Sequence, residues 1–231
     1  MDAGLYIVGT PIGNLGDISP RAVEALGEAD LIIAEDTRQT RKLLTHFELR
    51  TEMMSCHKFN EAARLEGIIS RIQSGQAVVQ VSDSGMPTIS DPGARMVAAC
   101  REAGLMVTAI PGPTAVTTAV ALSGYGEHGF AFIGFPPRKP GKIRKLLRQW
   151  QEVELPVVLY ESPYRVLKLI GFVEEVFGPE QEVFFVRELT KKFEEMHTGT
   201  AEELRAAYDG REVKGECVIV ISPDRFVDDR N

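Results

Sequence analysis

Val81-Ser82-Asp83-Ser84-Gly85-Met86-Pro87-Thr88-Ile89-Ser90-Asp91-Pro92-Gly93 is the stretch on which the fold turns. Before it, Ala77-Val78-Val79-Gln80-Val81 is a short apolar run, mostly β-branched and bounded by Gly75, as a buried strand requires. After it, Asp91-Pro92 reads as a helix start, with an acid at the N-cap and proline in the first turn. The Ser, Asp, Gly and Pro residues between suit a tight turn with free backbone NH groups. In an open parallel sheet, ligands sit beyond the carboxyl ends of the strands, where this loop lies.

Two further stretches repeat the pattern. Leu5 to Val8 leads into Gly9-Thr10-Pro11-Ile12-Gly13-Asn14 and then a capped helix start at Ser19-Pro20. Met106 to Ile110 leads into Pro111-Gly112-Pro113-Thr114. Parallel strands point the same way, so the three Gly/Pro-rich loops share one sheet edge and form a candidate pocket.

The remaining elements extend this into an α/β fold of two α/β domains. The first half alternates: a helix over 19–27, a strand over 31–34, then helices over 37–46, 58–74 and 92–103. Alternating βα units predict a parallel-sheet N-terminal domain, placed at residues 1–120. Beyond the glycines at 124, 126 and 129, strands are expected at 130–134, 156–160, 183–187, 196–199 and 217–221, with helices at 143–151 and 163–177. Thr200-Ala201-Glu202-Glu203 is a capping box. The short spacings near the end predict antiparallel pairing, hence a mixed-sheet C-terminal domain over 121–231.

Composition excludes several classes. The 231 residues are 44% hydrophobic and 26% charged, as in a soluble globular protein with ample core. No apolar run reaches the roughly 20 residues of a membrane span, and the acid in MDAGLYIV argues against a signal peptide. Three scattered cysteines and four scattered histidines lack metal-ligand spacing, so no metal is expected and the setting reads as cytoplasmic. VGTPIGNLG lacks the dinucleotide-binding spacing, and neither a phosphate loop nor a hydrolase elbow occurs.

GTPIGN, AEDTRQT (34–40), HKFNE (57–61), the 81–93 loop, IPGPTA (110–115), YESPYR (160–165), RELTKKFEEMHTG (187–199) and KGE (214–216) resemble, in order, the tetrapyrrole methylase superfamily. More narrowly they resemble its members that methylate a decoding-region cytidine of small-subunit ribosomal RNA on the ribose 2′-oxygen. The resemblance spans about 5–221; Met86, where that group more often carries Thr, and Ser84, where Ala is usual, depart from it. It implies a homodimer with S-adenosylmethionine held between the two domains. Ile12, Ser84, Gly85, Met86, Ile89, Thr114 and Ala115 would line the cofactor from the first domain, and Glu161, Leu189, Gly215 and Glu216 from the second. The expected substrate is small-subunit ribosomal RNA or the 30S particle. Runner-up readings are methylation of a tetrapyrrole or a modified protein residue, or a non-catalytic RNA-binding assembly factor.

Methyl transfer to a ribose hydroxyl needs alignment, plus a base or a cation that lowers the hydroxyl pKa. Candidates are Asp36 with Glu35, His57, Arg165, and the Arg187, Glu188 and Lys191 group, which is favoured. Asp36 also reads as a helix cap, and Arg165 as an i,i+4 partner of Glu161. The net charge of −7 is unlike a nucleic-acid binder. Locally, however, Arg138, Lys139, Lys142, Arg144, Lys145 and Arg148 form a run of six cations without an acid, its first half expected to be a loop. Arg38, Arg41 and Lys42 form a second basic group on a helix. Both are candidate RNA contacts.

Overall fold

Five short apolar runs pair as a parallel sheet in the order β3-β2-β4-β1-β5. They are β1 (Gly4–Val8), β2 (Leu31–Ala34), β3 (Met53–Ser55), β4 (Ala77–Val81) and β5 (Val107–Ile110). The computed structural model describes residues 1–223, and the chain divides into two units, Met1–Thr114 and Ala115 onward. The division falls just before α5 (Ala115–Ser123), whereas the expected boundary at residue 120 lies inside that helix.

In the first unit, alternation along the strands sends neighbouring side chains to opposite faces. Val8, Ile32 and Val79 pack against Ala22 and Leu26 of α1 (Pro20–Glu28) and Leu43 of α2 (Thr37–His46). Leu5, Leu31, Ile33 and Val78 pack against Ile68 of α3 (Glu61–Gln73) and Met96 of α4 (Ala94–Glu102). Strands covered on both sides read as continuous apolar runs, which is why β2 and β4 are recognisable in the sequence. The connections from β1 and β4, adjacent strands, therefore leave for opposite faces. That is a topological switch point, and the two loops there bound a crevice.

In the second unit the order is β6-β7-β10-β8-β9. Strands β6 (Ala131–Gly134) and β7 (Val157–Glu161) are parallel, whereas β10 (Cys217–Ile221) runs antiparallel to both β7 and β8 (Glu182–Arg187), and β9 (Glu195–Thr200) runs antiparallel to β8. The core gathers Leu147 of α6 (Pro140–Gln151), Ile170 and Val173 of α7 (Val166–Phe177), and Leu204 of α8 (Ala201–Ala207) against Leu159, Phe185 and Ile219. The capping box forms as expected: the Glu203 amide donates to Thr200 Oγ1 at 3.2 Å and the Thr200 amide to Glu203 Oε2 at 2.9 Å.

Several helix starts differ from expectation, and local bonding accounts for each. α4 begins at Ala94 rather than Pro92, with Gly93 as N-cap at φ +122°. There the Gln80 amide donates to the Pro92 carbonyl at 3.2 Å, and a Cβ on Gly93 would overlap the Gln80 carboxamide. α3 begins at Glu61 because Asn60 Oδ1 takes the His57 amide at 2.7 Å and holds 57–60 in a turn. α6 begins early, at Pro140, whose missing NH costs nothing in the first turn. Lys142, Arg144, Lys145 and Arg148 are thus helical, and only Arg138 and Lys139 precede the helix.

Phe185 is fully buried and meets the Tyr208 ring edge-on, with centroids 5.2 Å apart. Phe185→Ala should cost about 3–5 kcal/mol of stability, measured by urea unfolding. A loss under about 1 kcal/mol would contradict the packing described.

Candidate functional site

The first unit's sheet edge is built by its loops folding onto one another. The Thr10 amide donates to the Gly85 carbonyl at 2.9 Å, and Thr10 Oγ1 to the carbonyls of Ser82 and Gly85 at 3.3 and 3.4 Å. Ser82 Oγ, buried, donates within its own loop to the Ser84 and Gly85 carbonyls, both at 3.3 Å. The glycines serve this packing. A Cβ on Gly112 would press into the Gly9 backbone at 2.8 Å, and one on Gly85 would come within 3.2 Å of Ile12 Cγ2 and the Pro113 carbonyl. Their small size is therefore required between loops, not only toward a ligand. Ile12 is buried beneath Gly85, Met86 packs partly into the core, and Ile89 is exposed. Thr114 ends this unit and Ala115 opens α5.

The same loop carries backbone strain. Gly85 has φ +80°, and the non-glycine residues Thr88 and Ser90 sit at +72° and +67°. A β-branched residue in the left-handed region is a true outlier, and such strain is held in place where a loop must keep one shape for a ligand.

The surrounding charge is negative. The loops after β1, β4 and β5 hold no Lys or Arg between 9–14, 82–90 and 111–114. Asp36 caps α2 through the Arg38 amide at 2.8 Å, and its carboxylate is clasped by the Arg38 guanidinium at 2.6 Å. Those bonds pull its pKa down to about 2. Asp83 Oδ1 accepts from the Asp36 amide at 3.0 Å, and burial raises its pKa. Glu35 is also raised, first by burial and then by Asp91, Asp83 and Asp36. Arg38 is thereby committed to Asp36, and Lys42 to Gln39 at 2.9 Å. His57 accepts the Phe59 amide on Nδ1 at 3.3 Å, a turn-forming role. An edge of neutral walls and carboxylates fits a cationic ligand such as a sulfonium and repels an anionic one.

The second unit's candidates collect on one sheet edge. Glu161 and Arg187 both lie opposite Cys217 on β10, so β7 and β8 end level with each other and with the start of β10. Buried Glu161 accepts the Ser162 amide and two guanidinium bonds from Arg165, all on Oε1 at 2.6–2.9 Å. Arg165 is the residue before α7 rather than within it, as the expected helix over 163–177 had it, and its second terminal nitrogen is buried without a partner among the described residues. Lys191 Nζ bridges Glu188 and Glu216 at 2.9 Å each. Burial opposes the Lys191 charge, but the two carboxylates outweigh it and its pKa is raised. Burial likewise opposes ionised Glu188, and bonds from Lys191 and the Glu216 amide prevail to lower it. Gly215, at φ +87°, leaves room for the Glu188 side chain, which a Cβ there would overlap. Leu189 is buried between Glu188 and Thr190, both at positive φ.

Arg187 stands apart from Lys191: its guanidinium bonds Glu195 at 2.7 Å, directly across the β8–β9 register. The sequence reading missed Glu195; the one available signal was its place after the hairpin turn. It missed Asp83 and Asp91 as partners of Glu35 as well, since their proximity is set by the β2–β4 pairing. In the basic run, Arg144 binds Glu175 through two contacts at 2.8 and 3.0 Å and lies over the Phe172 ring, which withdraws it from the free cations.

A match to the family Tetrapyrrole (Corrin/Porphyrin) Methylases spans residues 4–205. The chain is 43% identical over 218 residues to "Ribosomal RNA small subunit methyltransferase I" of Synechocystis sp., covering 94% of this chain and 78% of that protein. It is 41% identical to the protein of the same name from Thermotoga maritima, covering 94% and 97%. The crystal structure of the methyltransferase CobJ superposes with a TM-score of 0.71 at 19% identity, over 96% and 95% of the two chains, a likeness of fold alone.

Glu35 is partly buried and sits among other carboxylates, so burial first and their charge second raise its folded-state pKa, and its ionised form destabilises the fold. Glu35→Gln should therefore raise the Tm at pH 7.5, with the gain vanishing as pH falls below about 4.3, where the carboxyl is neutral in both states. An unchanged Tm at pH 7.5 would show that this crowding is not felt.

Proposed function

The chain belongs to the tetrapyrrole methylase family, and from that we propose that it methylates small-subunit ribosomal RNA with S-adenosylmethionine as donor, at the ribose 2′-oxygen of a decoding-region cytidine. The observation that carries this reading is the 43% identity over 94% of the chain to a relative of that name. The loop geometry supports it: an electron-poor sulfonium suits an edge whose loops hold carboxylates and no cations, with Met86 and Ile89 as apolar surface beside it.

When bound, the donor supplies a methyl group on a positively charged sulfur, already a strong electrophile. The protein must hold the acceptor oxygen in line and handle its proton. Lys191 stays protonated through neutral pH, because its pKa is raised between Glu188 and Glu216. It serves as a fixed positive charge that stabilises the developing 2′-oxyanion, not as a base. Glu188 and Glu216 hold that ammonium in place, and Arg165 is held likewise by Glu161. Of the carboxylates in the candidate set, Asp36, at about 2, is a poor proton acceptor, and Glu35, raised, is a better one. Arg41, Lys142, Lys145 and Arg148 supply phosphate contacts.

The decisive experiment supplies purified protein with labelled S-adenosylmethionine and 30S particles, then maps the product by resistance of the modified linkage to alkali. Label in small-subunit RNA with an alkali-resistant cytidine linkage is the expected result; label on a base, or none, would refute the 2′-O assignment. Gly85→Ala places a methyl where φ is +80° and neighbours stand at 3.2 Å. It should weaken cofactor binding at least tenfold, about 1.4 kcal/mol, by calorimetry, with the circular dichroism spectrum unchanged.

Lys191→Met should lower kcat by roughly a hundredfold while cofactor affinity is kept, and Lys191→Arg should recover part of the loss. Full activity in the Met variant would remove Lys191 from the chemistry.

A further inference from the structure

Three of the largest exposed apolar side chains of the second unit are aromatic rings on loops: Tyr164 at 89% exposure, Phe193 at 64% and Phe135 at 60%. A single exposed ring is ordinary. These three share one place in the fold. Phe135 follows β6, Tyr164 follows β7 and Phe193 follows β8. β6 and β7 are parallel, and β7 and β8 both run opposite to β10, so all three loops leave the same edge of the sheet. That edge also carries Arg165, Lys191 and Glu216.

Each ring has a cation close in sequence: Arg138 and Lys139 after Phe135, Arg165 after Tyr164, and Lys192 before Phe193, with its Nζ 5.5 Å from the ring centroid. The carboxylates here are engaged inside the protein. Glu161 is bound to Arg165, Glu188 and Glu216 to Lys191, and Glu194 to the Thr190 amide at 2.6 Å. Arg138, Lys139 and Lys192 have no carboxylate partner among the described residues. Exposed π faces interleaved with free cations match one ligand chemistry, unstacked bases on a phosphate backbone. Duplex RNA would present phosphates to the cations but keep its base faces covered.

We propose that this edge binds single-stranded RNA, with bases stacked on Phe135, Tyr164 and Phe193 and phosphates met by Arg138, Lys139 and Lys192. The proposal rests on the reading of the protein as an RNA methyltransferase and specifies that the acceptor nucleotide is presented with unstacked neighbours.

The test measures binding of a labelled single-stranded oligoribonucleotide, and of the same sequence in duplex form, by fluorescence anisotropy. The proteins are wild type, Tyr164→Leu, and the triple variant Phe135→Leu, Tyr164→Leu and Phe193→Leu. Leucine keeps the apolar surface and removes the π face, and the positions are exposed, so folding is checked by circular dichroism and cofactor calorimetry. Wild type should prefer the single strand at least tenfold. Each ring lost should weaken single-strand binding about fivefold or more, leaving duplex binding and cofactor affinity unchanged. Unchanged single-strand affinity in the triple variant would overturn the proposal. So would a fall from dimer to monomer in light scattering with RNA affinity kept, which would make the rings a contact between copies of this chain. If wild type fails to methylate 30S particles yet still shows the ring-dependent preference, the assigned reaction fails and the RNA surface stands.

Discussion

The hydrogen bond from the Thr10 amide to the Gly85 carbonyl joins the loops of two adjacent strands whose helices depart to opposite faces of the sheet. Such a switch point would otherwise open as a cleft. Here the floor is closed by that bond, by the Thr10 hydroxyl and by the abutting backbones of Gly9 and Gly112. The shape of the first unit's candidate edge thus depends on loop-to-loop contact more than on any helix. Ile12, Met86 and Ile89 take their positions from it.

The two units hold charge in opposite ways. In the first, carboxylates are partly buried close together at the strand ends, and Glu35 and Asp83 resist ionisation, chiefly through burial and then through their neighbours' charge. In the second, the candidate cations near the strand ends are clasped by acids: Arg165 by Glu161, Lys191 by Glu188 and Glu216, Arg187 by Glu195. A crowded carboxylate is a ready proton acceptor, and a clasped ammonium is a charge that neither moves nor titrates near neutrality. Both conditions would suit the proposed alkylation of a hydroxyl, which must shed a proton while negative charge builds on oxygen.

Much of this is legible in the sequence wherever local chemistry decides the outcome. β2 and α2 can be read to the residue, because an apolar run ends at Ala34 and Asp36 caps the helix that begins at Thr37. The capping box at Thr200 is equally plain. β3 escapes because three half-buried residues carry no periodicity, and α5 because AVTTAVALS has β-branched residues and no polar face to give a helical period. The strain at Thr88 and Thr190 is invisible for a different reason: nothing in a threonine announces a left-handed backbone, which tertiary contacts impose. The pairing of Lys191 with Glu216 and of Arg187 with Glu195 needs strand register, and register comes only with the assembled sheet.

The three cysteines fit the interior in a way that extends past folding. Cys56, Cys100 and Cys217 are all buried, and burial raises their thiol pKa values, that of Cys217 to about 12. Thiolate is the nucleophilic form, so burial and a raised thiol pKa slow the reaction of these sulfurs with alkylating agents and peroxide in the native protein. Their reaction should speed up when the surrounding element opens. Cys56 and Cys100 lie in the first unit and Cys217 in the central strand of the second, so the order in which they are alkylated would time the opening of each unit separately. The chain carries its own internal clock for local unfolding.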